Sequence, residues 1–106
     1  MKVMNEELAI LSRILDRAGV EIYDTDGVPE KRKEVLAVIT HPNGWVWYIY
    51  EASPIPGDGV YDWQCFGRVV GFESELGYFS ASDVLDVGGT VYTADEAMLF
   101  GIEPPW

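Results

Sequence analysis

Cysteine and histidine are scarce in this sequence, which contains one of each in 106 residues. A single cysteine, Cys65, cannot form an intramolecular disulfide, so a secreted scaffold held by disulfides is excluded. A catalytic thiolate would need a histidine or a helix N-terminus beside it, whereas Cys65 lies in an aromatic stretch that favours a core position. The only histidine, His41, lies in a run typical of a turn. We therefore predict a protein that is not an enzyme and that needs no metal and no cofactor.

Basic residues are also few, since seven lysines and arginines stand against 18 aspartates and glutamates and give a formal net charge of −11. Direct binding to DNA or RNA and attraction to anionic membranes are therefore excluded, because both depend on clustered basic residues. Solubility of a small domain needs a net charge of only about 2 to 8 in magnitude. The excess lies in residues 51–106, which contain ten acidic residues and one basic residue, Arg68.

Long apolar runs are missing as well. No stretch approaches the roughly 18 apolar residues of a membrane-spanning helix, and the first residues lack the pattern of a signal peptide. The length allows one domain over residues 1–106 without a linker, and a hydrophobic content of 48% is enough for one core. We therefore expect a single soluble domain located in the cytoplasm.

An amphipathic helix is predicted near the N-terminus. Asn5 can cap its first turn, and Gly19 stands where a C-terminal cap is expected. The apolar positions between them recur at helical spacing and predict one buried stripe, formed by Leu8, Leu11, Leu15 and Ala18. Core packing is the favoured interpretation of this stripe, and docking of a partner is the alternative.

Three strands are predicted in the middle of the chain. Residues 35–40 and 45–51 form a hairpin around the Asn-Gly pair at residues 43–44, which is a strong signal for a tight turn. The second of these strands is apolar or aromatic on both faces, so it is either covered twice or shows one aromatic face to a partner. Residues 61–70 form the third strand, in which Gly67 predicts a bulge or close packing.

One or two short helices are predicted toward the C-terminus. Ser80 and Thr93 each precede an acidic residue by three positions, as in a capping box, and Gly88 ends the first of these helices. Residues 71–77 are predicted to surround a turn, and for residues 93–101 a helical turn and a last strand remain alternatives. Together the elements predict an α+β domain, with an antiparallel sheet of three to five strands and with helices mainly on one face.

Two segments resemble a known family. The sequence NGWVWY at residues 43–48 and the sequence FGRVVGFESELGYFS at residues 66–80 resemble a small domain family of unknown function, domain of unknown function 2958, which recurs on plasmids, phages and other mobile elements. The chain departs from the family pattern in a longer loop at residues 53–59 and again after Leu85. The resemblance implies the fold and a mobile-element context, and it supplies no catalytic residues.

The charge and the resemblance together predict a mimic of nucleic acid. Carboxylates on a rigid scaffold can occupy a basic groove in place of phosphates, which lie about 3.4 Å apart along each DNA strand, and steering makes such binding fast and salt-sensitive. The predicted partner is a basic host protein or complex that normally binds nucleic acid, such as restriction or CRISPR machinery. The predicted contact residues are Glu51, Asp58, Asp62, Glu73, Glu75, Asp83, Asp86, Asp95 and Glu96, with Glu103 in the same pool.

The alternative is a protein-interaction module whose contact is mainly aromatic, acting as a steric inhibitor or as a homodimer. Trp and Tyr are among the residue types that anchor interfaces, and the predicted aromatic contacts are Trp47, Tyr50, Trp63 and Trp106. Salt separates the two hypotheses, because high salt weakens a carboxylate contact and leaves an aromatic contact intact. A third interpretation, the surface acidity of a halophilic protein, requires no partner.

Overall fold

The structure, a computed structural model, describes residues 6–56 and 62–103. Within these residues the strands are β1 Ala37–Thr40, β2 Val46–Ile55, β3 Asp62–Val70, β4 Ser74–Ser80 and β5 Thr90–Thr93. The helices are α1 Glu6–Ala18, α2 Ala81–Asp86 and α3 Ala94–Leu99, and a 3-10 turn spans Glu30–Arg32. The strands form one antiparallel sheet in the order β4-β3-β2-β1-β5. The predicted α+β class is confirmed.

Each face of the sheet carries its own apolar cluster. α1 and α2 pack on one face, hereafter the α1/α2 face, whose buried residues include Leu11, Ile39, Trp47, Ile49, Trp63, Cys65 and Leu85. α3 packs on the opposite face, hereafter the α3 face, whose buried residues are Val38, Tyr48, Tyr50 and Ala97. The central part of β2 is therefore covered twice, which is the first of the two alternatives that its sequence allowed.

A β-bulge at Tyr50 changes which residues of β2 share a face. The register shifts between Ile49 and Glu51, so Tyr50 and Glu51 both project to the α3 face. Gly67 pairs with Ile49 and lies so close to β2 that a Cβ atom there would be 1.7 Å from the carbonyl oxygen of Tyr48. The close packing predicted at Gly67 is confirmed, and a side chain at this position is excluded sterically.

The hairpin between β1 and β2 closes through the predicted Asn-Gly turn. Gly44 has a φ of 92°, in the left-handed region that favours glycine. Its N–H donates to the carbonyl oxygen of His41 at 2.9 Å, and the N–H of Trp45 donates to Oδ1 of Asn43 at 3.0 Å. These local bonds fix the register of β1 on β2.

α1 buries the predicted leucine stripe and ends where expected. Leu8, Leu11 and Leu15 are buried, and Gly19 ends the helix with a φ of 65°. Ala18 is exposed, so the buried stripe stops one turn before the helix does. The predicted cap, Asn5, lies outside the described residues. None of the helices in residues 6–56 and 62–103 is long and apolar enough to cross a membrane.

The C-terminal part contains two strands that the sequence did not identify. β4 begins at Ser74 and includes Glu75, so the turn predicted over residues 71–77 is confined to its first three residues. β5 ends at Thr93 directly before α3, so the segment at residues 93–101, for which a helical turn and a last strand were alternatives, forms a helix. The capping box at Thr93 is confirmed, because its side chain and that of Glu96 each accept a bond from the other's backbone N–H.

Candidate interaction surface

The acidic residues predicted to bind a partner differ in how far their side chains are exposed. The exposed residues are Glu73, Glu75, Asp83, Asp86, Asp95, Glu96 and Glu103. Glu51 and Asp62 are engaged inside the fold, and Asp58 lies outside the described residues. The exposed set therefore comes from the turn between β3 and β4, from β4, from α2 and α3, and from the chain that follows α3.

Glu51 cannot contact a partner, because only 2% of its surface is exposed. The bulge directs its carboxylate toward the segment between α1 and β1, where the backbone N–H groups of Tyr23 and Thr25 donate to it at 2.9 and 3.1 Å. Nζ of Lys33 lies 3.8 Å from the same carboxylate. Burial raises the pKa of Glu51, but the bonds from Thr25 and Tyr23 outweigh burial and hold the pKa below its usual value. This corrects the predicted contact set, because Glu51 is a structural anchor.

Asp62 is likewise occupied by bonds within the fold. Its carboxylate accepts from the backbone N–H of Ser82 at 2.9 Å, and from the hydroxyls of Ser80 and Ser82 at 2.6 Å each. Burial raises the pKa of Asp62, but the bonds from Ser80 and Ser82 lower it below its usual value. Asp62 of β3 therefore caps α2, whereas the side chain of Ser80 makes no cap bond of its own. This also corrects the capping box predicted at Ser80.

The single basic residue of the acidic half, Arg68, is bound within the fold. Its Nε donates to the carboxylate of Glu30 at 2.9 Å, and the hydroxyl of Tyr50 donates to the same carboxylate at 2.8 Å. Hydrogen bonding from Arg68 lowers the pKa of Glu30, so the ion pair stays charged at neutral pH. Because the partner of Arg68 comes from the N-terminal half, the exposed acidic residues of the C-terminal half have no base from their own half to balance them.

A row of four rings joins two hairpin turns at one end of the sheet. The ring centroids of His41 and Trp47 are 6.3 Å apart, those of Trp47 and Trp45 are 5.9 Å apart, and Trp45 meets Phe72 edge to face at 5.6 Å. Gly71 permits the last contact, because a Cβ atom there would be 2.5 Å from the ring of Trp45. Exposure rises along the row from 9% at Trp47 to 95% at Phe72.

Two carboxylates lie directly beside the exposed end of this row. Glu73 follows Phe72 in the turn, and Glu75 lies in β4 opposite Val69. Together with Trp45 and Phe72 they line a shallow depression of about 280 Å³. An exposed ring and two carboxylates therefore share one edge of the α1/α2 face.

Two further exposed carboxylates lie on α2, which packs on the same face of the sheet. Asp83 and Asp86 are exposed and one helical turn apart, while the remaining residues of α2 are largely buried. The end of α2 is tied to the row by a 2.6 Å hydrogen bond between Nε2 of His41 and the carbonyl oxygen of Val87. We call the combined set the acidic-aromatic surface, and it consists of Trp45, Phe72, Glu73, Glu75, Asp83 and Asp86.

Asp95 and Glu96 do not join this surface. They lie in the first turn of α3, which packs on the opposite face of the sheet. The carboxylate of Glu96 accepts the backbone N–H of Thr93 at 2.9 Å, as the capping box requires. The predicted pool of carboxylates is thus split between two faces, and Glu73 and Glu75 are the members that lie beside Trp45 and Phe72.

Three of the four predicted aromatic contacts belong to the core. Trp47, Tyr50 and Trp63 are 9%, 0% and 5% exposed, so they cannot anchor a partner, and Trp106 lies outside the described residues. Sequence reasoning missed Phe72, although its place between Gly71 and Glu73 in a predicted turn was a usable signal of exposure. It also missed the exposed apolar end of α3, which consists of Met98, Leu99 and Phe100.

The described residues contain no group of three or more histidine, cysteine, aspartate or glutamate side chains arranged to hold a metal ion. Cys65 is fully buried, and burial raises the pKa of its thiol, which keeps it protonated. Comparison with protein-family models, with curated proteins and with solved structures gives no match.

Proposed function

We propose that the protein is a non-enzymatic inhibitor of a nucleic-acid-binding complex, and that the carboxylates of its acidic-aromatic surface take the place of phosphates. The observation that carries this proposal is the placement of Glu73 and Glu75 beside Trp45 and Phe72, with the exposed Asp83 and Asp86 of α2 on the same face of the sheet. Their half of the chain has one base, Arg68, and that base is paired with Glu30. The surface therefore has the charge that a basic groove binds.

The spacing of the carboxylates suits this role. Glu73 and Glu75 are two residues apart, so their Cα atoms are at most about 7 Å apart, which corresponds to roughly two phosphate steps of 3.4 Å along the DNA axis. Asp83 and Asp86, three residues apart on a helix, have Cβ atoms about 5 to 6 Å apart. Lysines and arginines that contact successive phosphates can meet such pairs without large rearrangement.

The exposed aromatic residue distinguishes this surface from a purely electrostatic mimic. Phe72 lies beside Glu73 and Glu75 and rests against Trp45. An aromatic anchor surrounded by charged residues is the usual composition of an interface hot spot and its rim. It would lower the dissociation rate, while the carboxylates would raise the association rate.

The proposed target is a host defence complex of the restriction or CRISPR type. The resemblance to a family of mobile elements supports this class, because such elements are exposed to nucleases of the host. A second candidate function is a steric interaction module, and the exposed end of α3 favours it. Met98, Leu99 and Phe100 are 77%, 84% and 69% exposed. They lie at the end of α3, on the face of the sheet opposite the acidic-aromatic surface.

Capture from a host lysate tests the proposal. The tagged protein is incubated with lysate at low and at high salt, and the eluted protein is then competed with duplex DNA. We expect the captured partner to be a nucleic-acid-binding protein that salt releases and that DNA displaces. A partner retained at high salt and indifferent to DNA would contradict mimicry and favour the α3 module.

Two charge-reversal variants locate the contact. One replaces Glu73, Glu75, Asp83 and Asp86 with lysine, and the matched control replaces the exposed residues Glu6, Asp16, Glu21 and Glu34 with lysine. Both variants change the net charge by the same amount, so a general loss of acidity affects them equally. We expect the first variant to lose the partner and the control to retain it. Equal binding by both variants would rule out the acidic-aromatic surface as the contact.

A further inference from the structure

The two edge strands of the sheet differ in whether their outward main-chain groups have hydrogen-bond partners. In an antiparallel ladder, residues alternate between those whose main-chain groups face the neighbouring strand and those whose groups face outward. Outward groups on an edge strand are a template for pairing with another strand. The edges of this sheet are β5 and β4.

The edge at β5 is blocked by side chains of the same molecule. The backbone N–H of Val91 donates to the carboxylate of Glu7 in α1 at 2.7 Å, and the backbone N–H of Thr93 donates to Glu96 in α3 at 2.9 Å. All four residues of β5 lie opposite residues of β1, and by the alternation of an antiparallel ladder Thr90 and Tyr92 are the ones whose main-chain groups face β1. The outward N–H groups of β5 are therefore already satisfied.

The edge at β4 is open. In the turn before it, the N–H of Gly71 donates to the carbonyl oxygen of Glu73 at 2.9 Å, and this sets the alternation so that Glu75 and Gly77 bond to β3. Leu76 and Tyr78 consequently direct their main-chain groups outward. Among the described residues, no hydrogen bond from another part of the chain reaches these outward groups. The strand contains no lysine, proline or bulge, which are the usual devices that protect an edge.

The sequence of β4 is complementary to itself in the antiparallel sense. If two copies pair with Gly77 opposite Gly77, all seven strand residues overlap and Leu76 lies opposite Tyr78 on both sides of the axis. Glu75 then lies opposite Phe79, so no two acidic side chains are directly opposed. Leu76 and Tyr78 are 44% and 52% exposed in the single chain, and aliphatic-aromatic pairs across strands are stabilising.

We propose that this chain forms a two-fold symmetric homodimer through β4, giving a continuous ten-stranded sheet with Gly77 on the symmetry axis. The interface is isologous, so each copy contributes the same outward main-chain groups and the same Leu76-Tyr78 pair. At Gly77 the alternation places a non-hydrogen-bonded pair on the axis, where side chains of opposed residues come closest. This proposal does not depend on the proposed function.

Salt distinguishes this dimer from the binding of a basic partner. Each copy has a formal net charge of −11, so the copies repel each other and added salt should strengthen the dimer by screening that repulsion. Salt should weaken the complex with a basic partner. The two interactions therefore respond to salt with opposite signs, and either can fail while the other holds.

Charge swapping at Gly77 tests the proposal by sedimentation velocity over a concentration series. A Cβ atom at Gly77 meets nothing within 4 Å in the single chain, so substitutions there are compatible with the monomer fold. Gly77→Asp places two like charges in direct opposition and should weaken the dimer about tenfold or more. Gly77→Lys should do the same, and an equimolar mixture of the two variants should restore the dimer. Gly77→Asn is the matched uncharged control and should dimerise as the wild type does.

Hydrogen exchange gives an independent measurement on the unsubstituted protein. The amides of Leu76 and Tyr78 should become more protected as the protein concentration rises, while those of β5 should not change. A wild type that remains monomeric at all concentrations would overturn the proposal. So would a mixture of the Asp and Lys variants that stays monomeric, or a dimer whose concentration-dependent protection lies outside β4, for example at the end of α3.

Discussion

The carboxylate of Glu51 accepts the backbone N–H of Tyr23 at 2.9 Å, although Glu51 lies in β2 and Tyr23 in the irregular segment between α1 and β1. Tyr23 has a φ of 76°, which is uncommon for a residue other than glycine and is held here by the bond to Glu51. The same segment is joined to β2 through the N–H of Ala52, which donates to the carbonyl oxygen of Val20 at 2.9 Å. A buried charge thus organises a segment that has no regular structure of its own.

Replacing Glu51 with glutamine should destabilise the protein by about 2 kcal/mol, because hydrogen bonds to a buried charged group exceed those to a neutral one. The amide keeps the shape of the carboxylate but turns an NH₂ group toward the donors of Tyr23 and Thr25. Urea unfolding measures the change, with Glu34→Gln as an exposed control that should have little effect. A Glu51→Gln variant as stable as the control would show that the charge is not needed.

Acid should destabilise the protein through Glu51 and Asp62, whose pKa values are both lowered by bonds that the folded state makes. A lowered pKa means that the unfolded chain binds more protons than the folded chain in acid. The two carboxylates therefore stabilise the fold fully above the unfolded pKa of about 4, and this contribution is lost as the pH falls through their folded pKa values. Urea unfolding over a pH series should show this loss below about pH 4. In Glu51→Gln the loss should be shallower, and an unchanged pH dependence would contradict the assignment.

The place of Glu51 was not predictable from the sequence, because the assignment depends on a bulge. Strict alternation along β2 sends Tyr50 and Glu51 to opposite faces, whereas the bulge sends both to the α3 face. The signal for it, Gly67, is located on the next strand. By contrast, the turn at residues 43–44 and the capping box at Thr93 depend on neighbours in the chain, and both were predicted correctly.

The candidate surface was predictable only in part, because it too depends on contacts between residues that are distant in the chain. The hydrophilic turn that carries Glu73 could be identified from its composition, but the sequence did not show that Trp45 from another hairpin would support Phe72. Asp62 could not be assigned as the cap of α2, because Ser82, whose N–H it accepts, lies 20 residues further along the chain. Contacts between distant residues decide which carboxylates remain exposed.

Asp62→Ala should destabilise the protein more than Ser80→Ala, by about 1 kcal/mol, which is the usual cost of losing a helix cap. Asp62 accepts the backbone N–H of Ser82, whereas Ser80 only donates its hydroxyl to Asp62. Urea unfolding of the two variants under the same conditions gives the difference. Equal losses would indicate that the bond between the two side chains, rather than capping by Asp62, carries the stabilisation.

Gly67→Ala should destabilise the protein by about 3 kcal/mol or more, because the added Cβ would overlap the carbonyl oxygen of Tyr48 and push β2 away from β3. The control is Gly77→Ala, at the residue that pairs with Gly67 across β3 and β4. A Cβ atom at Gly77 meets nothing within 4 Å, so this change should shift stability by less than about 1 kcal/mol. Thermal unfolding at low protein concentration compares them, and similar values would contradict the close approach of β2 at Gly67.

Phe72→Ser should leave stability nearly unchanged and weaken binding of the captured partner. Phe72 is 95% exposed, and surface substitutions away from the core usually change stability by less than about 0.5 kcal/mol. As an interface anchor it should be worth about 2 kcal/mol, or roughly thirtyfold in affinity. The loss should appear mainly in the dissociation rate, because the carboxylates that steer association are retained.

Phe100→Ser is the matched control for this experiment, since Phe100 is an exposed aromatic residue at the end of α3, on the other face of the sheet. Partner binding measured by surface plasmon resonance should be unaffected by the change at Phe100. The reverse pattern, with loss at Phe100 and none at Phe72, would move the contact to α3 and away from the four carboxylates. Because the two rings belong to opposite faces, one protein cannot use both in a single flat interface, so the pair of variants decides which face binds.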